Sequence, residues 1–283
     1  MSDYVTNQSS QFEGKVIIIT GSTQGSGAET AKLFAARGAK AITICGRQEN
    51  KGIEIKKEIE ELGSKCLYVK ADLSKVEDCK KIVELTDREF GTVNSLVNVA
   101  ATTERGTILS TTLQNYEENF NVNARAPFIL IQEVVKIMIR DKNKGTIANV
   151  LSMAMYSGMP FILAYSGSKA ALAIMTKNIA NSLAGHQIRV NALNIGWTDT
   201  PAEHDIQTRV HMKENDWLNK EESNVPFKRL TKTIDVAKGL AFMCSDESGL
   251  MTGSVIDFDQ TVNGWHSYSA YETNILDDSL LGE

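Results

Sequence analysis

Residues 15–36 read KVIIITGSTQGSGAETAKLFAA, and this stretch decides the fold. An apolar, β-branched run is followed by three closely spaced glycines, and a helical pattern begins directly after them. Glycines at a strand-to-helix turn permit a tight bend and let a pyrophosphate approach the backbone N–H groups of the helix N-terminus. The stretch therefore predicts the first βαβ unit of a dinucleotide-binding fold. The turn residues that we assign to cofactor binding are Gly21, Thr23, Gln24, Gly25, Ser26 and Gly27.

Beyond that turn, short β-branched runs alternate with helical patterns along the chain. Continuous apolar strands alternating with amphipathic helices are typical of a parallel sheet covered on both faces. We therefore predict an α/β fold with a doubly wound parallel sheet of Rossmann type, in a single domain over residues 1–283. Strands are expected near 15–20, 41–45, 66–73, 95–100, 146–152, 189–195 and 254–259, and helices near 26–37, 48–62, 75–90, 113–140, 161–184 and 233–244.

Two segments depart from this alternation. The stretch at about 198–226 is polar and follows the carboxyl end of a predicted strand, where open α/β sheets bind ligands and where lids form. We predict a short helical flap over a site there. A tail at about 262–283 follows the last predicted strand and carries aromatic residues, so we expect it to reach a neighbouring subunit or to cap the flap.

Composition and charge limit the partners and the location that we expect for the protein. The chain is 42% hydrophobic and 23% charged, with a net charge of −5 and no dense Lys/Arg cluster, so we expect no nucleic-acid partner. No apolar run approaches the roughly 18–20 residues that cross a bilayer. The start, MSDYVTNQSSQFEG, lacks the apolar core of a signal peptide. We expect a cytoplasmic protein without membrane contact, and no metal, because the four cysteines show no C-x-x-C spacing.

The end of the second predicted strand should carry the residue that selects the cofactor. An NAD site would place an acid there to accept from the ribose 2′-OH, whereas this chain has Arg47, with no acid before Glu49. Arginine pairs with a 2′-phosphate through charge-assisted hydrogen bonds. NADP(H) is therefore favoured and NAD(H) remains possible, since Arg47 can also be read as a solvated loop cation.

The stretch AYSGSKAAL at 164–172 places Tyr165 and Lys169 four residues apart, on one face of a predicted helix. A nearby ammonium favours the phenolate and lowers the pKa of a tyrosine, which makes the phenol a usable acid or base. Taken alone, the pair also fits an ordinary surface helix. Ser152 lies 165 − 152 = 13 residues earlier, at the end of a predicted strand.

Together these elements resemble the classical short-chain dehydrogenase/reductase family, over about Phe12 to Asp259. The shared stretches, in chain order, are TGSTQGSG (20–27), ADL (71–73), SLVNVA (95–100), NVNARAPF (121–128), the pair AYSGSK (164–169) and RVNA (189–192). The chain departs from the family pattern at Val99, Ala101, Leu151, Ile195 and 259–261. The cofactor contacts that the resemblance implies, beyond the turn, are Asp72, Leu73, Asn98, Ala100, Tyr165, Lys169, Gly196, Thr198 and Thr200.

The resemblance also implies a catalytic set of Asn123, Ser152, Tyr165 and Lys169. Ser152 would polarise the substrate oxygen, and Asn123 would hold a water that links Lys169 to solvent. We predict an NADP(H)-dependent oxidoreductase that interconverts a secondary alcohol and a ketone. An NAD-dependent dehydrogenase of a polyol, sugar or other hydroxylated compound is the enzyme alternative. A non-catalytic, cofactor-sensing binding protein is the alternative of another class.

The substrate pocket and the assembly are less constrained by the sequence. Met153, Trp197 and Trp217 are our pocket candidates, although methionine is also a routine filler of apolar gaps. The histidines are read as surface or flap residues. The family resemblance implies a homotetramer or a dimer. It also implies a small alcohol or carbonyl compound as the substrate.

Overall fold

The computed structural model describes residues 8–262, so the predicted tail lies outside the described residues beyond Val262. Seven strands form one sheet and two very short strands form another. The strands are β1 (Val16–Ile19), β2 (Ala41–Gly46), β3 (Lys65–Lys70), β4 (Ser95–Asn98), β5 (Thr146–Ser152), β6 (Arg189–Ile195), β7 (Thr198–Asp199), β8 (Thr231–Lys232) and β9 (Val255–Phe258). The helices are α1 (Gly25–Ala36), α2 (Glu49–Glu61), α3 (Val76–Phe90), α4 (Leu113–Phe120), α5 (Ala126–Arg140), α6 (Leu163–Leu183), α7 (Pro201–Arg209), α8 (Trp217–Asn224) and α9 (Thr233–Cys244).

The main sheet has the strand order β3-β2-β1-β4-β5-β6-β9, and all of its pairings are parallel. The chain runs outward from β1 to β3 and then returns to the other side of β1 to continue with β4. This reversal opens a crevice at the carboxyl ends of β1 and β4, which is where ligands bind in such sheets. The predicted doubly wound parallel sheet is confirmed.

Two apolar layers hold the helices onto the sheet. On one face, Phe34 of α1 and Leu240 of α9 are fully buried in a cluster with residues of β1 and β2. On the other face, Ile82 of α3 and Leu130 of α5 are buried in a second cluster. Because both faces are covered, the inner strands β1, β2, β4, β5 and β6 are buried along almost their whole length, which explains their continuous apolar runs.

The helix predicted over 113–140 is interrupted by one wider turn. Residues Asn121–Arg125 form a π-helical turn between α4 and α5. Pro127 lies at the start of α5 and has no N–H to bond the carbonyl four residues earlier, so a regular α-helical ladder is broken at this point. The turn carries Asn123, whose side chain is fully buried.

The predicted flap folds as two short helices, α7 and α8, that follow β6. Strand β7 leads into α7, and the chain returns from α8 through β8, which pairs with β7. Pro201 occupies the first turn of α7, and the Thr200 hydroxyl accepts a hydrogen bond from the Glu203 N–H as the helix cap. Within residues 8–262, no helix is long and apolar enough to cross a membrane.

Candidate active site

A cavity of about 1000 Å³ opens at the carboxyl ends of the strands. It runs from the glycine turn after β1 to the inner side of the flap. The sequence-predicted residues that line it are Gly21, Thr23, Gln24, Gly25, Ser26, Gly27, Arg47, Asp72, Leu73, Ala100, Ser152, Met153, Tyr165, Lys169, Gly196, Trp197, Thr198 and Thr200. The fold thus brings residues from seven separate segments of the chain to the wall of one cavity.

The glycine turn fits its neighbours too closely to admit side chains. Gly21 has a φ of +62°, and a Cβ there would lie 2.7 Å from the Ala100 Cα. A Cβ at Gly27 would lie 2.3 Å from the Gly21 carbonyl oxygen. The bare backbone therefore faces the cavity at the N-terminus of α1, where N–H groups and the helix dipole favour a phosphate. This cradle suits the pyrophosphate of a dinucleotide.

Two buried hydroxyls fasten this cradle to the neighbouring strands. The Thr20 Oγ1 accepts hydrogen bonds from the N–H groups of Val99 (3.0 Å) and Ala100 (3.1 Å), beyond β4. The Ser22 hydroxyl accepts from the Cys45 N–H at 3.1 Å, in β2. Because both residues are buried, these bonds hold the turn in register with β2 and β4.

The far end of the cofactor half carries Arg47 and Asp72. Arg47 is exposed at the cavity wall directly after β2. Glu49, the nearest acid along the chain, forms an ion pair with Lys70 at 3.2 Å. Burial raises the pKa of Asp72, but hydrogen bonds from Ser74 and the charges of Lys75 and Arg47 outweigh it, so the pKa lies below its ordinary value.

Ser152, Tyr165 and Lys169 meet at the middle of the cavity. Ser152 ends β5, while Tyr165 and Lys169 lie one turn apart on α6. The Lys169 ammonium is buried, lies 5.9 Å from the centre of the Tyr165 ring and donates to the Val150 carbonyl at 2.8 Å. The neighbouring Ser152 hydroxyl acts on the Tyr165 phenol and lowers its pKa, although burial outweighs this effect. The phenol of Tyr165, which can donate a proton, and the hydroxyl of Ser152 thus lie in the same part of the cavity, beside the buried ammonium of Lys169.

The protein alone does not lower the pKa of Tyr165 as the sequence predicted. Burial raises the pKa of the phenol, the hydrogen bond to Ser152 and the charge of Arg105 oppose this rise, and Glu203 adds to it. Burial also lowers the pKa of Lys169 to about 8. The reason is that the buried ammonium has lost its water, which disfavours the charged form.

Asn123 and Asn98 lie behind the cavity wall. The Asn123 amide accepts from the Thr102 N–H (2.9 Å) and donates to the Thr102 carbonyl (2.9 Å) and the Ser168 hydroxyl (3.0 Å). It therefore ties the loop after β4 to α6, and its water-holding role stays a prediction. Asn98 donates to Asn149 at 2.9 Å, between β4 and β5, and is buried there rather than facing a cofactor.

The pocket tryptophans occupy different layers. Trp197 is 36% exposed and lines the cavity, and its indole N–H donates to the Glu203 carboxylate at 2.8 Å. Trp217 is buried at 2% exposure and stacks on Trp197 with a centroid distance of 5.8 Å. It therefore supports the pocket wall from behind, while Met153 contributes to the wall itself.

Sequence reasoning missed a charged and aromatic group at the flap end of the cavity. It comprises Arg105, Phe161, Glu203, Gln207, His211 and Lys213, all of which line the wall. They come from the loop after β4, the segment before α6 and the flap. No local motif joins them; the only signal in the sequence was the polarity of the predicted flap at 198–226, which contains Glu203, Gln207, His211 and Lys213.

The chain matches known proteins over most of its length. The family model described as short chain dehydrogenase matches residues 15–211. An uncharacterized oxidoreductase of Thermotoga maritima is 36% identical over 250 residues, which cover 88% of this chain and 97% of the relative. The 3-oxoacyl-[acyl-carrier-protein] reductase FabG of the same organism is 34% identical over 249 residues, which cover 88% of this chain and 98% of that protein.

The fold is also found in solved structures. A dehydrogenase/reductase from Sinorhizobium meliloti superimposes with a TM-score of 0.79 at 27% identity, over 89% of this chain and 97% of that one. The family model covers more than half of the chain, and the matched part contains the glycine turn, Ser152, Tyr165 and Lys169. The protein is therefore an oxidoreductase that belongs to the short-chain dehydrogenase/reductase family.

Proposed function

We propose that the protein is an NADP(H)-dependent oxidoreductase that interconverts a secondary alcohol and a ketone. The observation that carries the proposal is the convergence of Ser152, Tyr165 and Lys169 on one point of a cavity whose far end is a glycine cradle. A binding protein has no need for a matched donor, hydroxyl and buried cation at that point. The arrangement supports proton transfer beside a bound dinucleotide.

The residues present fit a nicotinamide dinucleotide. The cradle of Gly21 and Gly27 would hold the pyrophosphate, Asp72 and Leu73 the adenine end, and Thr198 and Thr200 the nicotinamide end. When bound, the nicotinamide supplies the hydride chemistry. Family members generally use NAD(P)(H).

The chain's own groups would handle the proton and the substrate oxygen. Ser152 donates a hydrogen bond to that oxygen, and Tyr165 gives or takes the proton. Lys169 stabilises the phenolate when its ammonium turns from the Val150 carbonyl toward the phenol. Asn123 holds the Thr102 loop and α6 at fixed distance through the Ser168 hydroxyl, so it keeps Lys169 in place.

The preference for NADP(H) rests on the charges beside the ribose position. Arg47 is exposed and lines the cavity, while Lys51 donates to the turn residue Gln24 at 2.7 Å, which places a second cation near the same edge. The nearby Glu49 is neutralised by Lys70. Cations without a free acid favour a 2′-phosphate over a 2′-hydroxyl.

Ketone reduction is the direction that we favour. The relative named 3-oxoacyl-[acyl-carrier-protein] reductase acts on a carbonyl group by its name, and an NADP(H) preference fits reduction. Oxidation of a polyol or another hydroxylated compound with NAD is the alternative, and the polar flap would suit such a substrate.

We also propose that the chain forms a homotetramer, with a dimer as the smaller alternative. Helices α5 and α6 expose Phe128 (46%), Ile139 (41%) and Ile174 (60%) on their outer faces. Apolar side chains grouped on helix faces mark protein–protein contacts. Light scattering on the purified protein gives the mass; a monomer at micromolar concentration would contradict this assembly.

The experiment that tests the proposed activity combines cofactor binding with turnover. Fluorescence titration with NADPH and NADH gives both affinities, and ketones are then screened with the tighter cofactor. We expect tighter binding of NADPH, and we expect Tyr165→Phe to lower kcat by about 10²–10⁴-fold while its cofactor affinity stays unchanged. Equal turnover in Tyr165→Phe, or binding of neither cofactor, would overturn the proposal.

A further inference from the structure

Arg105 occupies a fixed position on the substrate side of the cavity. Its backbone carbonyl accepts a hydrogen bond from the Asn115 amide at 3.0 Å. The next residue, Gly106, donates its N–H to the Phe161 carbonyl at 2.8 Å. The loop after β4 is therefore bonded on both sides of the side chain, and Arg105 enters the cavity wall from a rigid support.

The guanidinium of Arg105 is largely buried but poorly paired. Its side chain is 19% exposed, and its Nε has no hydrogen-bond partner among the described residues. Within residues 8–262, the one carboxylate inside 4 Å is that of Glu203, whose Oε2 lies 3.9 Å from Nη2, beyond hydrogen-bond length. A buried donor without an acceptor is costly, so among the residues that the structure describes the Nε–H of Arg105 is unsatisfied.

Glu203 cannot easily approach Arg105, because its other oxygen is already held. Oε1 accepts from the Trp197 indole at 2.8 Å and from the Gln207 amide at 2.6 Å. Gln207 is itself buried, and within residues 8–262 its Oε1 has no hydrogen-bond partner. The flap carboxylate thus does not bond to the guanidinium, and both groups line the cavity, in a region that we call the opening.

The opening lies close to the reacting centre. Arg105 shares the cavity with Tyr165, and its positive charge acts on the phenol. The Phe161 ring lies 5.9 Å from the guanidinium carbon and limits its movement. A planar guanidinium with free N–H groups matches a carboxylate, with which it forms two parallel hydrogen bonds.

We propose that Arg105 binds a carboxylate of the substrate, so that the protein acts on keto acids and the corresponding hydroxy acids. This inference rests on the proposed oxidoreductase function and adds its substrate class. The carboxylate supplies the acceptors that Glu203 does not reach, and it fixes the ketone carbon near Ser152 and Tyr165. Neutral ketones lack this anchor.

The test compares acids with their own methyl esters. The probes are 2-oxobutanoate, 3-oxobutanoate and 4-oxopentanoate, which place the carboxylate at increasing distances from the ketone. We expect at least one acid to exceed its ester in kcat/KM by about 10- to 100-fold. Arg105→Gln should bring the acid-to-ester ratio of kcat/KM to about one, whatever the lost charge does to both rates through the Tyr165 phenol. Arg105→Lys should restore only part of that ratio, because lysine keeps the charge and loses the fork.

Arg209→Gln is the matched control, because Arg209 lies on α7 of the same flap but is 61% exposed and pairs with Asp205. It should keep the acid preference. Calorimetry then measures binding of the three acids to the protein, with and without oxidised cofactor. This measurement does not depend on turnover. Wild type should bind one acid at least about tenfold more tightly than Arg105→Gln does.

The outcomes separate this inference from the activity itself. Esters reduced as well as acids, with no effect of Arg105→Gln, would overturn the carboxylate site and leave the reductase function intact. Absence of turnover with every compound would argue against the proposed function. Calorimetric binding of none of the acids would overturn the carboxylate site in either case.

Discussion

The two ends of the cavity differ in whether backbone or side chains form the wall. At the cofactor end, the wall is backbone: the turn at 20–27 is contiguous in sequence and packs so closely that Gly21 and Gly27 have no room for a Cβ. At the substrate end, the wall is side chain. Arg105 comes from the loop after β4, whereas Trp197 directly precedes β7 and Glu203 lies in α7. Side-chain contacts such as the 2.8 Å hydrogen bond between Trp197 and Glu203 hold this wall together.

This difference predicts how each end responds to change. A backbone cradle depends on φ angles and on the absence of side chains, so a single methyl group can disable it. A side-chain wall can be altered residue by residue while the fold stays intact, which is how one fold serves many substrates. Mutations at the two ends should therefore separate cofactor affinity from substrate affinity.

Gly21→Ala is the strongest test of the backbone end. The new Cβ would lie 2.7 Å from the Ala100 Cα, at a φ of +62° that alanine adopts poorly. We expect the free energy of unfolding to fall by about 2–4 kcal/mol and cofactor affinity to fall with it. Denaturant unfolding and fluorescence titration measure the two quantities.

Gly91→Ala provides the control, because Gly91 has a φ of +76° with nothing within 4 Å of the added Cβ. It carries the same backbone strain without the clash, so only about 1–2 kcal/mol should be lost and cofactor affinity should be retained. Normal cofactor affinity in Gly21→Ala would show that the cradle is not built by close backbone packing.

Lys169 lies at the junction of the two ends, and its burial should be visible in stability against pH. Burial lowers its pKa from 10.5 to about 8. Between these values the unfolded chain holds the proton and the folded chain does not, so stability rises with pH relative to Lys169→Met. From pH 7 to pH 10 we expect wild type to gain up to about 3 kcal/mol over the variant, without cofactor.

The measurement is denaturant unfolding of both proteins at the two pH values. Lys177→Met is the matched control, since Lys177 is exposed on the same helix. If the stability difference between wild type and Lys169→Met is the same at both pH values, the pKa of Lys169 is not lowered by burial.

The contrast between the ends also explains what the sequence could reveal. The strand and helix alternation predicted the parallel sheet, because strands covered on both faces carry continuous apolar runs that are legible locally. The glycine turn and the Tyr165–Lys169 pair were equally legible, since each lies within one element and obeys a local spacing. The predicted residues of both groups line one cavity.

What the sequence could not reveal depends on distant packing. Arg105 and Glu203 are 203 − 105 = 98 residues apart in the sequence, so their proximity is set by how the flap folds back over the loop after β4. The bonds of the Asn123 amide to Thr102 and Ser168 could not be predicted, because only the tertiary structure brings these residues next to it, and its water-holding role stays a prediction. Trp217 was assigned to the pocket, but helix α8 buries it behind Trp197.

Arg47→Gln tests a side chain at the edge of the cofactor end, where the rest of the wall is mainly backbone. Loss of a charge-assisted hydrogen bond to a 2′-phosphate should weaken NADPH binding by about 10- to 100-fold and leave NADH binding unchanged. Fluorescence titration with both cofactors measures the ratio. Arg88→Gln, on the exposed face of α3, is the control. Equal effects on both cofactors would show that Arg47 does not read the phosphate.

Trp217→Phe is the smallest expected change and tests whether the substrate end can be altered alone. Trp217 is buried behind Trp197, touches the His204 ring at a centroid distance of 4.9 Å, and its own indole N–H has no partner. Phenylalanine keeps an aromatic support and removes an unsatisfied donor while losing some contact area, so the free energy of unfolding should change by less than about 1 kcal/mol.

The functional readout of Trp217→Phe is the ratio of two affinities. Because the smaller ring lets Trp197 and the flap shift, we expect the substrate KM to rise about two- to fivefold, equivalent to less than 1 kcal/mol, with cofactor affinity unchanged. Trp217→Ala removes the support altogether and should raise KM further while destabilising the flap. If cofactor affinity falls as much as KM rises in Trp217→Phe, the two ends are coupled through the flap, and the division between a backbone end and a side-chain end does not hold.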